Sequence, residues 1–241
     1  MTERVSEEID LSYLDENYKR IKNAIAEAAV SSGRKPEDIR LMAVTKTVQP
    51  ICINHVIRLG ADLIGENKVQ ELLSKIDSLE KDGLDMHLIG HLQSNKVRKI
   101  TGVVSMIQSV DSLPIASEIA RRSTEQGVVT DILLEVNIGG EESKTGLPSE
   151  EAEETAFAVT EMSGIRLKGF MTVPPVTESE AEARKYFEKM NVLYLDAKEK
   201  LKDRAAIDTL SMGMSADFVP AILEGATLVR VGSALFGQRR Y

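Results

Sequence analysis

Eight short apolar runs recur along the chain, and segments with a helical pattern lie between most of them. Each run has the length and the apolar content of a buried β-strand. Strands that alternate with helices form a parallel sheet with right-handed crossovers. The predicted strands lie at about residues 39–46, 61–65, 86–90, 105–110, 131–138, 166–173, 208–212 and 228–232.

This alternation predicts an α/β protein that folds as a (β/α)8 TIM barrel. Barrels of this type commonly reach the length of this chain, 241 residues, as one domain. We expect a single domain over residues 1–241, because no linker-like or low-complexity segment interrupts the alternation. A doubly wound sheet is the alternative, but it usually contains fewer strands.

Helical signals support this order of elements. Apolar residues between positions 14 and 28 recur at spacings of three and four, which predicts an extra helix before the first strand. Ser112 is a typical N-cap residue, and the acidic residues after Ser149 suit the first turn of another helix. We expect a helix after every strand except the last.

The composition argues against several classes of protein. The chain has 30 basic and 38 acidic residues, a net charge of −8, which disfavours binding to nucleic acid or to anionic membranes. Cys52 is the only cysteine, so no internal disulfide forms, and its apolar neighbours predict a core position. The first residues lack the features of a secretory signal, and no apolar run reaches transmembrane length. We expect a cytoplasmic protein.

Lys46 closes the first predicted strand, I-R-L-M-A-V-T-K. Because lysine is mostly exposed, an ordinary surface lysine is the default interpretation. In a TIM barrel, however, the chemistry lies at the carboxyl ends of the strands. Two further strand ends, S-M-G-M-S (211–215) and V-G-S (231–233), supply hydroxyls and glycines where such barrels often bind phosphate.

Arg230 lies inside the last predicted strand, between Val229 and Val231, and therefore points into the opposite layer. A buried guanidinium needs a partner, either an acid on another strand or a ring nitrogen or anion of a ligand. A reactive lysine, a phosphate site and a fixed guanidinium at one barrel mouth together suggest pyridoxal 5′-phosphate (PLP), held as a Schiff base.

Other motifs do not support a site. Residues 138–145, I-G-G-E-E-S-K-T, lack the glycines of a P-loop. His87 and His91 are four residues apart but span a strand end, and they do not form a zinc-binding helix motif. We therefore predict no metal site. We expect Lys144 to be a solvated loop lysine, with a secondary contact to PLP as the alternative.

Seven motifs lie in a fixed order along almost the whole chain. They are A-V-T-K-T (43–47), G-E-N-K-V-Q-E-L (65–72), H-L-I-G-H-L-Q-S-N-K (87–96), N-I-G-G-E-E-S-K-T-G (137–146), G-F-M-T-V-P-P (169–175), L-S-M-G-M-S-A-D (210–217) and V-R-V-G-S-A-L-F-G (229–237). Their order and spacing resemble the YggS/PROSC family of pyridoxal phosphate homeostasis proteins. One position departs from the family pattern, since His91 stands where proline is more common.

The resemblance implies a barrel similar to the N-terminal domain of bacterial alanine racemase, with PLP as the cofactor. It implies that Lys46 forms the internal aldimine and that Arg230 faces the pyridine nitrogen. Six further residues would contact PLP, four at the phosphate and two along the cofactor: Ser211, Ser215, Gly232 and Ser233, then Asn67 and Met214.

Two functions of different classes fit these residues. One is a PLP carrier in vitamin B6 homeostasis without turnover of its own, and the other is a PLP-dependent amino-acid racemase. Racemisation needs a base on each face of the substrate α-carbon. The racemase relatives take the second base from an additional C-terminal domain, which we do not expect here because the sequence ends at Tyr241. Arg230 can only donate, so it keeps the ring nitrogen unprotonated and weakens the ring as an electron sink.

We therefore expect a carrier and not an enzyme, with no catalytic residues. Its partners would be PLP, PLP-dependent apo-enzymes and PLP-synthesising enzymes, and we expect a monomer. A Schiff-base aldolase is a third interpretation of a lysine at a strand end, but it leaves Arg230 without a role.

Overall fold

The computed structural model describes residues 10–141 and 144–238. The expectation about a secretory signal depends largely on residues 1–9, which lie outside the described residues. Tyr241, where the sequence ends, lies outside them as well.

Eight parallel strands form a closed ring in the described part of the chain. The described strands, which include one outside the ring, are β1 Arg40–Val44, β2 Leu63–Glu66, β3 Asp85–Leu88, β4 Met106–Val110, β5 Thr130–Asn137, β6 Leu147–Pro148, β7 Ile165–Met171, β8 Thr209–Ser211 and β9 Leu228–Val231. The order around the ring is β1-β2-β3-β4-β5-β7-β8-β9, and β9 pairs with β1 to close it. The short β6 pairs only with β5, outside the ring.

Helices surround this ring. They are α1 Ser12–Ser31, α2 Pro50–Arg58, α3 Val69–Lys75, α4 Ser94–Ile100, α5 Leu113–Glu125, α6 Ala152–Thr160, α7 Glu180–Lys200, α8 Phe218–Leu223 and α9 Ser233–Phe236. The TIM-barrel prediction is confirmed, because each predicted apolar run overlaps one barrel strand and α1 precedes β1. Ser112 is the N-cap residue of α5, as its sequence position predicts.

Two details of the helix prediction are wrong. A helix does follow the last strand, since α9 begins two residues after β9. With only four residues, α9 is too short to carry a periodic apolar pattern. In addition, α6 begins at Ala152 and not at Ser149, because residues 149–151 form a turn in which the Glu151 N–H donates to the Pro148 carbonyl over 3.0 Å. The acidic first turn itself is confirmed, since Glu153 and Glu154 lie in it.

The apolar residues of the strands face two different layers. Leu41 and Ala43 belong to the large cluster between strands and helices, whereas Met42 belongs to a small separate cluster. This alternation follows from the period of two along a strand. Two small clusters fill the inside of the ring: Met42, Val44, Leu63 and Leu228 form one, and Met106, Leu133 and Met171 form the other.

None of the helices in the described ranges is both long and apolar enough to cross a membrane.

Gly169 in β7 offers a test of how closely the strands approach each other. It lies at a register shift between β5 and β7, has φ +146°, and a Cβ there would lie 1.8 Å from the Thr209 carbonyl oxygen. Gly83 also has a positive φ, +69°, but a Cβ there meets no atom within 4 Å. Both alanine substitutions therefore cost backbone strain, and only Gly169→Ala adds a clash between strands.

We predict that Gly169→Ala lowers the free energy of unfolding by about 2 kcal/mol more than Gly83→Ala does. Urea unfolding of the two variants beside the wild type measures this difference. Equal losses in the two variants would contradict the close approach of β7 and β8.

Candidate functional site

Lys46 follows β1 by two residues and is half-buried at the carboxyl end of the barrel. It lines a cavity of about 300 Å³, at the lower end of the size range of small-molecule sites. Gly232 and Ser233, which follow β9, line the same cavity. Three of the eight residues predicted to contact PLP thus share one cavity.

Tyr13 and Cys52 also line this cavity, and the sequence analysis assigned neither of them to the site. Cys52 was expected in the core, but it is half-buried in the cavity wall. Its position on α2, directly after the Lys46 loop, is the signal that could have indicated this. Burial raises the pKa of the Tyr13 phenol above its ordinary value.

Ser215 brings two backbone donors together at the neighbouring strand end. Its Oγ accepts hydrogen bonds from the N–H groups of Gly232, at 3.1 Å, and Ala234, at 3.2 Å. These N–H groups have the chemistry of phosphate ligands. The loop that carries Ser215 needs Gly213, which has φ +89° and whose Cβ would lie 2.5 Å from the Ala221 side chain.

Met214, in the same loop, has a side chain on the surface, and the residue is 37% exposed. Its N–H donates to Asp217 Oδ1 over 2.6 Å, which closes the loop before α8 begins. Met214 and Asn67 both follow strands at this mouth, but neither lines the cavity that contains Lys46.

Asn67 follows β2 and carries an unsatisfied acceptor. Its Oδ1 is buried and has no hydrogen-bond partner among the described residues. Gly90, after β3, lies against the Asn67 backbone, and a Cβ at Gly90 would come within 2.3 Å of the Asn67 carbonyl oxygen. Buried polar atoms rarely stay without a partner, so this oxygen marks a position where a polar ligand or water fits.

Arg230 lies in β9 with its guanidinium inside the ring, where the residue is only 3% exposed. Its Nη1 donates to Ser211 Oγ over 2.6 Å and its Nη2 donates to the Thr172 carbonyl oxygen over 2.8 Å. In the described ranges no carboxylate forms an ion pair with it. Burial lowers the pKa of the guanidinium to about 10, so it remains charged at neutral pH.

The contacts of Ser211 differ from those that the family resemblance implies. Its hydroxyl donates to Gln108 Oε1 over 2.7 Å and accepts from Arg230, and the residue is fully buried. The side chain thus lies beside the guanidinium inside the barrel.

A hydrogen-bonded column continues from Ser211 across the barrel. Gln108 Nε2 lies 2.8 Å from His87 Nδ1. An amide nitrogen can only donate, so Nδ1 accepts and the imidazole is neutral, with its proton on Nε2. Burial lowers the pKa of His87 to about 4, which agrees with this form. We call Arg230, Ser211, Gln108 and His87 the polar column.

Gln108 is a site residue that was not predicted, although the sequence around it indicates a buried amide. Gln108 occupies the centre of the apolar run S-M-I-Q-S-V, where an amide must find a hydrogen-bond partner if it is buried. His87, which was weighed only as a metal ligand, belongs to the same column.

Two residues near the mouth have partners of their own. His91 Nδ1 lies 2.9 Å from Asp111 Oδ2, so the histidine that replaces the family's proline bridges the loops after β3 and β4. Lys144 donates to the Pro174 carbonyl oxygen and pairs with Glu141, which makes it a half-buried loop residue and not a solvated one.

Comparisons with known sequences give a consistent result. Residues 9–240 match the sequence model of the family described as alanine racemase, N-terminal domain. The pyridoxal phosphate homeostasis protein of Aquifex aeolicus (strain VF5) is 39% identical over 226 residues, which cover 94% of this chain and 98% of that protein. The protein of the same name from Pseudomonas aeruginosa is 38% identical over 231 residues, or 96% of this chain and 98% of that protein.

Two solved structures extend the comparison. PipY of Synechococcus elongatus PCC7942, with PLP bound, has a TM-score of 0.78 and 30% identity, covering 88% of this chain and all of PipY, 100%. Alanine racemase of Clostridium difficile 630 has a TM-score of 0.73 and 19% identity, and the match covers 97% of this chain and 58% of the racemase. The racemase match shows the fold alone, and it confirms the racemase-like barrel.

The folded protein keeps His87 of the polar column neutral, and this makes the free energy of unfolding depend on pH. The ordinary pKa of histidine is about 6.5, and the folded value of about 4 is lower. As the pH falls from about 6.5 to about 4, the unfolded chain binds a proton that the folded protein does not bind, so stability decreases. Below that window both states are protonated at His87 and this loss stops.

We predict that this histidine alone costs about 2 kcal/mol of stability between pH 7.5 and pH 5. His87→Gln removes the titrating group and keeps an acceptor for Gln108, so its unfolding free energy should fall less over this range. Urea unfolding at the two pH values measures the effect. Equal pH dependence in the variant and the wild type would refute the neutral buried histidine.

Proposed function

The chain belongs to the family of pyridoxal phosphate homeostasis proteins, and on that premise we propose that it binds PLP as a Schiff base on Lys46. We propose further that it acts in intracellular PLP supply as a carrier and not as an enzyme. One observation carries the proposal: Lys46 lines the same cavity as Gly232 and Ser233, in a barrel whose interior holds the charged Arg230.

The groups of this site fit PLP in their chemistry. PLP supplies an aldehyde, which condenses reversibly with an amine and releases one water. The Lys46 amine suits the aldehyde, the N–H groups gathered at Ser215 suit a phosphate, and a guanidinium suits an unprotonated ring nitrogen. The unsatisfied Oδ1 of Asn67 adds a hydrogen-bond acceptor at the carboxyl end of the barrel.

The contacts support different roles for the two serines. Ser215, with the backbone of Gly232 and Ser233, is proposed to hold the phosphate. The Gly232 N–H and the Ala234 N–H already point at the Ser215 hydroxyl, and Ser233 lies between these two residues. Ser211 is proposed to act through Arg230, since its hydroxyl is engaged by the guanidinium and by Gln108.

Asn67 and Met214 are proposed to border the cofactor from the ends of β2 and β8. The unsatisfied Oδ1 supports this role for Asn67, and for Met214 the support is the surface position of its side chain after β8.

The racemase alternative has less support. Racemisation needs a base on each face of the substrate carbon, and Lys46 provides one. Tyr13 lines the cavity with Lys46, but its raised pKa disfavours the phenolate that a base requires. Arg230 donates both of its described hydrogen bonds and stays charged, so it favours an unprotonated and poorly electron-withdrawing ring.

A carrier implies particular partners and a location. We propose that the protein exchanges PLP with PLP-dependent apo-enzymes and PLP-synthesising enzymes, as a monomer in the cytoplasm. The net charge of −8 supports the absence of nucleic acid and membrane lipid from this set.

We predict that the purified protein mixed with PLP shows a visible absorption band, and that borohydride fixes the cofactor to the peptide containing Lys46. Lys46→Ala should lose the band and the trapped peptide, whereas Lys200→Ala, which removes an exposed lysine of α7, should retain both. Absorption spectra and peptide mass analysis make the measurement. A wild-type protein that stays colourless with added PLP would refute the cofactor proposal.

The carrier proposal predicts no turnover of D- or L-amino acids at cellular rates by the PLP-loaded protein. Chiral product analysis of the wild type, Lys46→Ala and Tyr13→Phe tests this. Racemisation that depends on both Lys46 and Tyr13 would establish the alternative function instead.

A further inference from the structure

A buried cluster of charges lies beside Lys46 and has no part in the site described above. Lys75 on α3 is 6% exposed, and Glu66 at the end of β2 is fully buried. The Lys75 Nζ lies 2.5 Å from Glu66 Oε1 and 3.0 Å from Glu71 Oε1. Charged residues are almost never buried without such partners, so these three side chains form a unit, which we call the ion cluster.

The ion cluster holds the residue before Lys46. The Lys75 ammonium donates to the Thr45 carbonyl oxygen over 2.8 Å, and the Thr45 hydroxyl donates to Glu66 Oε1 over 2.6 Å. Both the backbone and the side chain of Thr45 are therefore attached to the cluster.

The cluster also holds the residue after Lys46. The Thr47 N–H donates to Glu71 Oε1 over 2.5 Å. Thr47 has φ +63° and is the only non-glycine residue with positive φ in the described ranges. A β-branched residue pays a conformational cost in this left-handed region, so a specific contact must hold it there.

We propose that Glu66, Glu71 and Lys75 are positioning residues for Lys46, which clamp the backbone on both sides of it and hold its amine at the cavity in one orientation. The inference rests on the proposed function, in which Lys46 is the covalent ligand of PLP.

Stability alone does not account for the cluster. A buried ion pair gains little over well-packed apolar residues of similar volume, because desolvation offsets the attraction. Here, moreover, Glu66 Oε2 is buried and has no hydrogen-bond partner among the described residues, which adds a further cost. What the cluster does provide is three hydrogen bonds to the two neighbours of Lys46, held together by two ion contacts within the cluster.

Glu71 gives the sharpest test, because its side chain is 24% exposed and can be replaced without leaving a cavity in the core. Glu71→Ala removes the acceptor of the Thr47 N–H, and Glu71→Gln keeps a side-chain oxygen there. Glu118→Ala on α5 is the matched control, since Glu118 is 21% exposed and also pairs with a basic residue one turn away.

We expect Glu71→Ala to speed hydrogen exchange at the Thr47 amide and to weaken PLP binding about tenfold, the effect of losing one charge-assisted hydrogen bond. Glu71→Gln should recover most of both properties, and Glu118→Ala should match the wild type. Unchanged exchange and unchanged PLP affinity in Glu71→Ala would overturn the proposal.

A second variant separates positioning from folding. Lys75→Met alone would leave the buried Glu66 carboxylate without its ion pair. Lys75→Met is therefore combined with Glu66→Gln, and the double variant lacks both charges. The double variant should keep a cooperative urea transition and lose PLP affinity, because Thr45 has lost the ammonium at its carbonyl. Wild-type affinity in a folded double variant would refute the clamp.

These tests also distinguish the clamp from the proposed function. If the wild type binds no PLP, the proposed function fails, and the PLP-free protein still reports on the clamp. The rate at which an acylating reagent labels Lys46, read by peptide mass analysis, should then change in Glu71→Ala and stay constant in Glu118→Ala. Identical labelling in all three proteins would overturn the clamp by itself.

Discussion

A charged guanidinium inside a closed ring of strands is the constraint on which the rest of this structure depends. Taking Arg230 out of water is costly unless its donors are matched, and neutral oxygens on β8 and just after β7 match them. The Ser211 hydroxyl on β8 then needs its own acceptor, which is Gln108 Oε1 on β4. The Gln108 amide nitrogen in turn donates to His87 Nδ1 on β3. One arginine thus dictates polar residues on three other strands and divides the apolar interior into two small clusters.

The sequence was sufficient for the architecture and for the layer into which Arg230 points. Eight apolar runs separated by helical patterns leave few alternatives to a parallel barrel, and the valines beside Arg230 reveal that it points inward. The polar column could not be predicted, because Ser211 and Gln108 are 103 residues apart in sequence and meet only across the closed ring. For the same reason the contact between the Ser211 hydroxyl and the Arg230 guanidinium could not be predicted from the sequence.

The mouth of the barrel combines parts of different rigidity. Arg230 is fixed by strand pairing on both sides of β9, whereas Lys46 lies in the loop that follows β1. Loops carry functional residues but are more mobile than the elements that they connect. The ion cluster holds this loop with side chains, since Lys75 donates to the Thr45 carbonyl oxygen and Glu71 accepts from the Thr47 N–H. Lys46, which must reach one ligand atom from a loop, depends on these hydrogen bonds more than Arg230 does, because Arg230 lies within a strand.

The two buried cations, Lys75 and Arg230, have different kinds of partner. Two carboxylates surround Lys75, so its charge is cancelled locally and it acts on the backbone alone. Arg230 is matched by neutral oxygens, so its positive charge persists within the barrel, close to the carboxyl ends of the strands. A low-dielectric interior screens this charge less than water does. A chain with a net charge of −8 can therefore present a local cationic field to an anionic ligand while its surface as a whole repels polyanions.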